Sequence, residues 1–367
     1  MINSPGQANL RKSDLDTPAL LVDLGLLEAN ITRIAQTCQR QGVSWRPHVK
    51  GNKTVEIVRM ELAAGAIGIT CAKLGEAEVM AAAGVQNILV ANQIVGEAKI
   101  ARLITLLDHA EVIVAIDSPT NVAELAEAAK KARKALQVVI EVNIGMNRAG
   151  VEPGAPVVAL AGAVAQHPSL RLMGIMGWES HAVAIDGQEE KAKVVAKAIG
   201  SLTASAKACR EAGHSIEIVS CGGTGTFPYC AQQPGVTEVQ VGGAVFSDEH
   251  YRTHYHCDFP CALTILATVT SRPNPARIVL DAGKKAMSGD AALPRPVNLN
   301  NVRSIRLSAE HTTIELSSQS DFPRVGEKIE LVVGYSDTTV HLHEQIVAMR
   351  GDQVDAIWKV AARGKIK

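Results

Sequence analysis

The chain has 367 residues, a length that allows two domains or one large barrel with an appendage. Its 37 Lys plus Arg balance 37 Asp plus Glu, and a net charge of zero excludes the basic excess of a general nucleic-acid or anionic-membrane binder. Apolar residues reach 47% and aromatics only 3%, which excludes a disordered chain and leaves the core to Ala, Val, Leu and Ile.

From the start, Met1 to Thr17 carries Arg11 and Lys12 but no apolar stretch behind them, so no signal peptide is expected. Ala19–Val22 reads as a strand. From about residue 44 to residue 245, strand-length apolar runs alternate with amphipathic segments. The predicted strands are Val43–Val49, Ile67–Ala72, Asn87–Ala91, Glu111–Ile116, Gln137–Val142, Leu170–Ile175, Ser215–Val219 and Thr237–Val241. The helical patterns between them include Glu56–Ala64, Leu74–Ala83, Glu97–Leu107, Asn121–Ala132, Ala155–Ala165 and Gln188–Ala212. Several end at glycine (Gly65, Gly84, Gly213), the expected stop. Eight such units predict an α/β fold, a (β/α)8 TIM barrel, in preference to a doubly wound sheet.

Beyond Phe246 the texture changes. Ala262–Ser271, Arg277–Asp281, Val302–Ser308, Thr312–Leu316, Lys328–Val333, Gln345–Met349 and Gln353–Ala362 are short, β-rich and broken by Pro, Gly, Asn and Asp. They predict a C-terminal antiparallel β domain. The expected division is a barrel over residues 27–246, with residues 1–26 and 247–367 forming the β domain. The seven cysteines are scattered and odd in number, so they do not read as a disulfide framework. No apolar run is long enough to span a membrane, and a cytoplasmic protein is expected.

In a barrel the chemistry lies in the loops that follow the strands. Those loops hold Arg46-Pro47-His48-Val49-Lys50, Gly145-Met146-Asn147-Arg148-Ala149-Gly150, Gly177-Trp178-Glu179-Ser180-His181, Ser220-Cys221-Gly222-Gly223-Thr224-Gly225-Thr226 and Gly242-Gly243. The two glycine-rich loops after strands seven and eight suit a phosphate, because glycines let successive backbone N–H groups point into one concavity. Lys50 is expected to project into the barrel mouth, where desolvation and cations such as Arg46 or Lys53 lower its pKa. A reactive lysine together with a phosphate site suggests pyridoxal phosphate (PLP), which carries both an aldehyde and a phosphate arm.

These segments, together with Asp281-Ala282-Gly283, resemble the alanine-racemase-like, fold-type III PLP enzymes. Within them they are similar to the branch of D-threonine aldolase, D-3-hydroxyaspartate aldolase and D-serine dehydratase. The similarity runs from Thr17 to about Asp352 and implies a barrel followed by a β domain. It implies Lys50 as the cofactor-bearing lysine and places His48 and Arg148 at the cofactor. It gives Gly223, Thr224 and Gly242 to its phosphate, with Ser220, Gly222 and Gly243 also binding the cofactor. His181 becomes the base for the substrate hydroxyl.

The implied activity is cleavage of a D-β-hydroxy-α-amino acid to glycine and an aldehyde, in a homodimer. Dehydration of the same substrates, racemisation, and a non-catalytic PLP carrier are the alternatives. The resemblance also implies a divalent metal held by a His-x-Asp or His-x-Cys pair, and here the sequence departs. Val333-Gly334-Tyr335-Ser336-Asp337-Thr338-Thr339 keeps Asp337 but has Tyr335 at the histidine position. As a strand, this stretch would align His341 and His343 with Asp337 and Tyr335 on one face. The expectation is metal independence, or a hard ion held loosely by Asp337 and water, with Tyr335 as a hydrogen-bond donor or proton acceptor. His254-Tyr255-His256-Cys257-Asp258-Phe259-Pro260-Cys261 lacks a second matching pair for zinc and reads as a linker.

Overall fold

A computed structural model describes residues 10–367; the first residues of the expected β domain, residues 1–9, lie outside the described residues. The described chain falls into two compact units, one of Thr32–Lys50, Ile57–Gly242 and Gly364–Lys367, the other of the residues up to Ile31, Gly51–Glu56 and Gly243–Arg363.

After β1 (Ala19–Asp23) come β2 (Ser44–Trp45), β3 (Ile69–Cys71), β4 (Ile88–Gln93), β5 (Val112–Ile116), β6 (Leu136–Glu141), β7 (Leu170–Met176), β8 (Ile218–Cys221) and β9 (Glu238–Val239). Strands β2 to β9 form one eight-stranded parallel sheet in the order β2-β9-β8-β7-β6-β5-β4-β3. A parallel bridge between His48 and Thr70 links the run after β2 to β3, so the row curls back on itself. Each of the eight expected strands is present. The seventh starts three residues and ends two residues later than expected, which moves Ser220 and Cys221 out of the loop and into β8.

The helices between strands have ordinary local causes. Ser118 accepts from the Asn121 N–H, with Pro119 in the first turn. Gly65, Gly84 and Gly213 follow helix ends at positive φ, as the sequence implied. Inside the ring, Leu89, Ile113, Ala115, Val139, Met173 and Met176 form an aliphatic core without aromatic rings. A helix over Leu24–Gln41 precedes the barrel strands and was not foreseen.

The other unit contains β1 and β10 (Leu263–Asn274), β11 (Arg277–Leu280), β12 (Arg295–Pro296), β13 (Val302–Leu307), β14 (Thr312–Leu316), β15 (Lys328–Val332), β16 (Gln345–Arg350) and β17 (Gln353–Lys359). They make one nine-stranded sheet, antiparallel except where β1 runs parallel to β16. Leu15, Leu21, Leu266, Val347 and Met349 pack on one another in this unit. One expectation fails here. Ser336–Thr339 is a helical turn and Val340–Leu342 a 3-10 turn, so Asp337, Tyr335, His341 and His343 share no strand face.

Candidate active site

Segments singled out from the sequence leave the C-terminal ends of β2, β6, β7, β8 and β9, which in a parallel barrel is one rim. Two of its cations meet at one ring. The Lys50 ammonium lies 5.5 Å, and the Arg148 guanidinium carbon 5.4 Å, from the centre of the Trp178 indole. Both distances are within cation–π range. Arg148 Nη2 is 3.8 Å from Oε1 of Glu141, the last residue of β6. Burial holds the Glu141 carboxyl above its ordinary range, although the Gln93 amide donates to it at 2.6 Å.

The loop after β8 is gripped by Glu179, which is fully buried. The Thr226 hydroxyl donates to Oε1 of Glu179, and the Gly222 N–H donates to Oε2 at 3.4 Å. Cys221 and Cys230 lie beside the same carboxylate. Burial, reinforced by Glu179, keeps Cys230 well above its usual range, so it is a neutral thiol and not an anionic ligand. Gly222 has φ +78°, a conformation that favours glycine. At Gly223 a Cβ would stand 2.8 Å from Trp178 Nε1, so only glycine admits the indole there.

His181 sits in a 3-10 turn, Ser180–Ala182, and its imidazole lies over Gly145. A Cβ on Gly145 would be 2.6 Å from Cε1 and 3.0 Å from each ring nitrogen. The Lys50 N–H donates to His48 Nδ1 at 3.4 Å. The His48 carbonyl abuts Gly242 where a side chain would collide with it, a packing reason for glycine beside the phosphate reading. Ser220, in β8, accepts from the Gln240 amide at 2.9 Å. Arg46 is not a free cation near the rim: it is buried against Glu238, Nε–Oε1 3.0 Å, and also donates to Asn87.

Tyr335, Asp337 and Gly243 belong to the other unit. There the Tyr251 hydroxyl donates to Asp337 Oδ1 at 3.4 Å, and the Tyr251 and Tyr335 rings are 5.8 Å apart. Gly243 leaves room for the Tyr251 ring. Burial, aided by Asp337, pushes the Tyr335 phenol far above its ordinary value. The sequence reading missed Trp178, Glu179 and Gly145 as site residues. Its available signal was the tryptophan itself, one of three in an aromatic-poor chain, placed one residue beyond Gly177 at a strand end.

The model for "Alanine racemase, N-terminal domain" matches residues 22–250, and that for "Putative serine dehydratase domain" matches residues 262–349. The chain belongs to the alanine racemase N-terminal-domain family. It is 33% identical over 364 residues to D-threonine aldolase from Arthrobacter sp, covering 98% of this chain and 96% of the relative. It is 32% identical over 371 residues to 3-hydroxy-D-aspartate aldolase from Paracoccus denitrificans (strain Pd 1222), covering 98% and 95%. The crystal structure of D-threonine aldolase from Filomicrobium marinum superposes with TM-score 0.95 at 34% identity, covering 99% of this chain and all of the other. The resemblance drawn from the motifs therefore holds, and so does the fold it implied: a parallel barrel followed by a mostly antiparallel sheet.

The barrel rim fits PLP. It offers a lysine, an arginine and an aromatic face in one place, beside a glycine loop and a buried indole N–H that has no partner among the described residues. The Asp337 region does not fit a metal. Its phenol is held neutral, and His343 Nε2 is engaged by the Ala286 carbonyl at 2.6 Å. Among the described residues, the one group of three ligand-type side chains within mutual reach is Glu179, Cys221 and Cys230 in the barrel. That group is hydrogen-bonded to Thr226 and Gly222.

Proposed function

We propose that the chain is a PLP-dependent lyase that cleaves a D-β-hydroxy-α-amino acid to glycine and an aldehyde. The observation that carries this is the convergence of Lys50 and Arg148 on Trp178 beside Gly222–Gly223, in a chain about a third identical over 98% of its length to two named aldolases. The cofactor-binding part is residues 27–246, with residues 1–26 and 247–367 as the β domain. None of the seven cysteines is in a disulfide, which supports a cytoplasmic enzyme, and the family resemblance supports a homodimer.

Lys50 would hold the cofactor covalently. Arg148 and His48 would flank its ring, and Ser220, Gly222, Gly223, Thr224, Gly242 and Gly243 would form or support the phosphate cradle. When bound, PLP supplies an electron sink for the pair released as the Cα–Cβ bond breaks. His181 takes the proton of the β-hydroxyl, the C–O bond becomes the aldehyde carbonyl, and a proton returned to Cα completes glycine. Gly145 lets the imidazole lie where it does, and no other small residue would. Glu141 fixes Arg148, and Glu179 fixes the glycine loop. Tyr335 replaces the metal-binding histidine of the related motif with a neutral phenol, suited to donating a hydrogen bond.

The deciding experiment incubates purified protein with D- and L-β-hydroxy amino acids and identifies the products. Aldehyde and glycine from D substrates are expected. A keto acid and ammonia would instead establish dehydration, the activity named in the family model for residues 262–349. Loss of optical activity without cleavage would establish racemisation.

A further inference from the structure

We infer that Trp178 is a cofactor-binding residue whose indole N–H donates to the phosphate of PLP. The inference rests on the PLP reading above and adds to the cradle a side-chain donor that the motifs do not contain.

Trp178 Nε1 is buried, and among the described residues no protein group accepts from it. A buried N–H left without an acceptor is costly, and native interiors seldom keep one. The other indole in the barrel unit shows the ordinary outcome: Trp45 donates to the Val241 carbonyl at 2.8 Å. Trp178 differs because its nitrogen faces the glycine loop, so close to Gly223 that a Cβ there would lie 2.8 Å from it. An acceptor supplied from outside the protein at this loop would satisfy the donor.

The electrostatics select the sign of that acceptor. Lys50 and Arg148 stand 5.5 Å and 5.4 Å from the indole centre, and the guanidinium remains a cation when the lysine is taken up by the cofactor. An indole N–H is a donor only and accepts nothing. A cationic or donor-rich ligand group is therefore excluded at this spot, and an anionic oxygen is favoured. The phosphate is the group of PLP that offers such oxygens at a glycine loop. Trp178 thus has two faces: its π-system receives the cations and its edge donates to the anion.

The test compares PLP with pyridoxal, which lacks the phosphate, on apoprotein stripped of cofactor. Trp178→Phe keeps an aromatic face and removes the donor. A hydrogen bond to a charged group predicts a loss of about tenfold or more in PLP affinity for this variant, with pyridoxal affinity changed less than twofold. Equal losses for both ligands, or none for either, would overturn the inference. A second measurement uses unmutated protein labelled with ¹⁵N-indole, whose three tryptophan N–H signals are assigned with Trp45→Phe and Trp358→Phe. Inorganic phosphate should move the Trp178 signal downfield, and an unmoved signal at saturating phosphate would refute the contact. If wild-type apoprotein takes up neither PLP nor pyridoxal, it is the underlying PLP reading that fails.

Discussion

Gly145→Ala tests whether the position of His181, and not merely its presence, sets the rate. An alanine Cβ would stand 2.6 Å from the imidazole Cε1, whereas carbon contacts settle near ~3.5 Å. The ring must therefore retreat by about 0.9 Å. A misplacement of ~1 Å at a reacting group costs on the order of 10²-fold in rate. The backbone adds its own penalty, since Gly145 has φ +122° and a side chain there is strained by ~1–3 kcal/mol. The expected phenotype is kcat reduced about 10²-fold, a modestly lower Tm, and undiminished cofactor absorbance. Aldehyde release from D-threonine, followed through an NADH-linked alcohol dehydrogenase, gives kcat and KM, while the visible spectrum reports loading. His181→Ala sets the floor, a loss of about 10²–10⁴ for removal of a general base. Wild-type kcat in Gly145→Ala with only the Tm lowered would show that the imidazole's place over Gly145 has no bearing on the reaction.

Lys50→Ala should be colourless, and borohydride reduction of wild-type protein followed by peptide mapping should label Lys50; a label on Lys53 would sink the assignment. Exhaustive EDTA treatment should leave turnover within about twofold, because the Tyr335 phenol is held neutral and the Ala286 carbonyl engages His343; stoichiometric zinc or manganese with complete loss of activity on chelation would refute this. Asp248 is buried, and burial outweighs its bonds from Ser336 and Tyr251 to push its carboxyl up to about 7, above the ordinary 3.8. The folded state then holds a proton that the unfolded state has lost, so this group's contribution to stability falls as pH rises from about 4 to about 7, by up to ~1.4 kcal/mol per unit. Asp248→Asn should flatten that slope in urea unfolding, and an unchanged slope would count against it.

The barrel was legible because parallel strands buried on both faces read as apolar runs, and glycine marks helix ends in the same sequence. The β strands of the other unit were equally plain, since Pro, Gly, Asn and Asp bound each of them. The helix over Leu24–Gln41 is less plain, because Glu28, Arg33, Gln36 and Gln39 on its polar face interrupt any apolar run. The Tyr335–His343 stretch failed for a related reason. Alternating residue types suggested a strand, yet Asp248 accepts from both the N–H and the hydroxyl of Ser336, a buried tertiary contact that no local pattern announces. The site was half legible. Lys50, Arg148 and His181 stand out by residue type and by their place after strand ends. Glu179 and Gly145 act through neighbours 47 and 36 residues away, Thr226 and His181, and periodicity carries no record of such partnerships.

Buried carboxylates explain how loops at the rim hold side chains in register. An ion taken into a barrel costs several kcal/mol unless it is paired or fully hydrogen-bonded. Glu238 of β9 meets this with charge: Arg46, just past β2, donates from Nε at 3.0 Å and 3.1 Å and from Nη2 at 3.0 Å. Removing either partner would leave a lone buried charge, a loss of about 3–5 kcal/mol. Glu179 meets it with neutral donors, the Thr226 hydroxyl and the Gly222 N–H. In both cases the electrostatic cost of burial becomes a constraint on a neighbouring segment. The Arg46 pair ties the start of the run leading to His48 and Lys50 onto β9, and Glu179 ties Gly222 and Thr226 down behind Trp178. Charges that would be liabilities in an aliphatic core are placed where each one fixes a loop that the chemistry needs still.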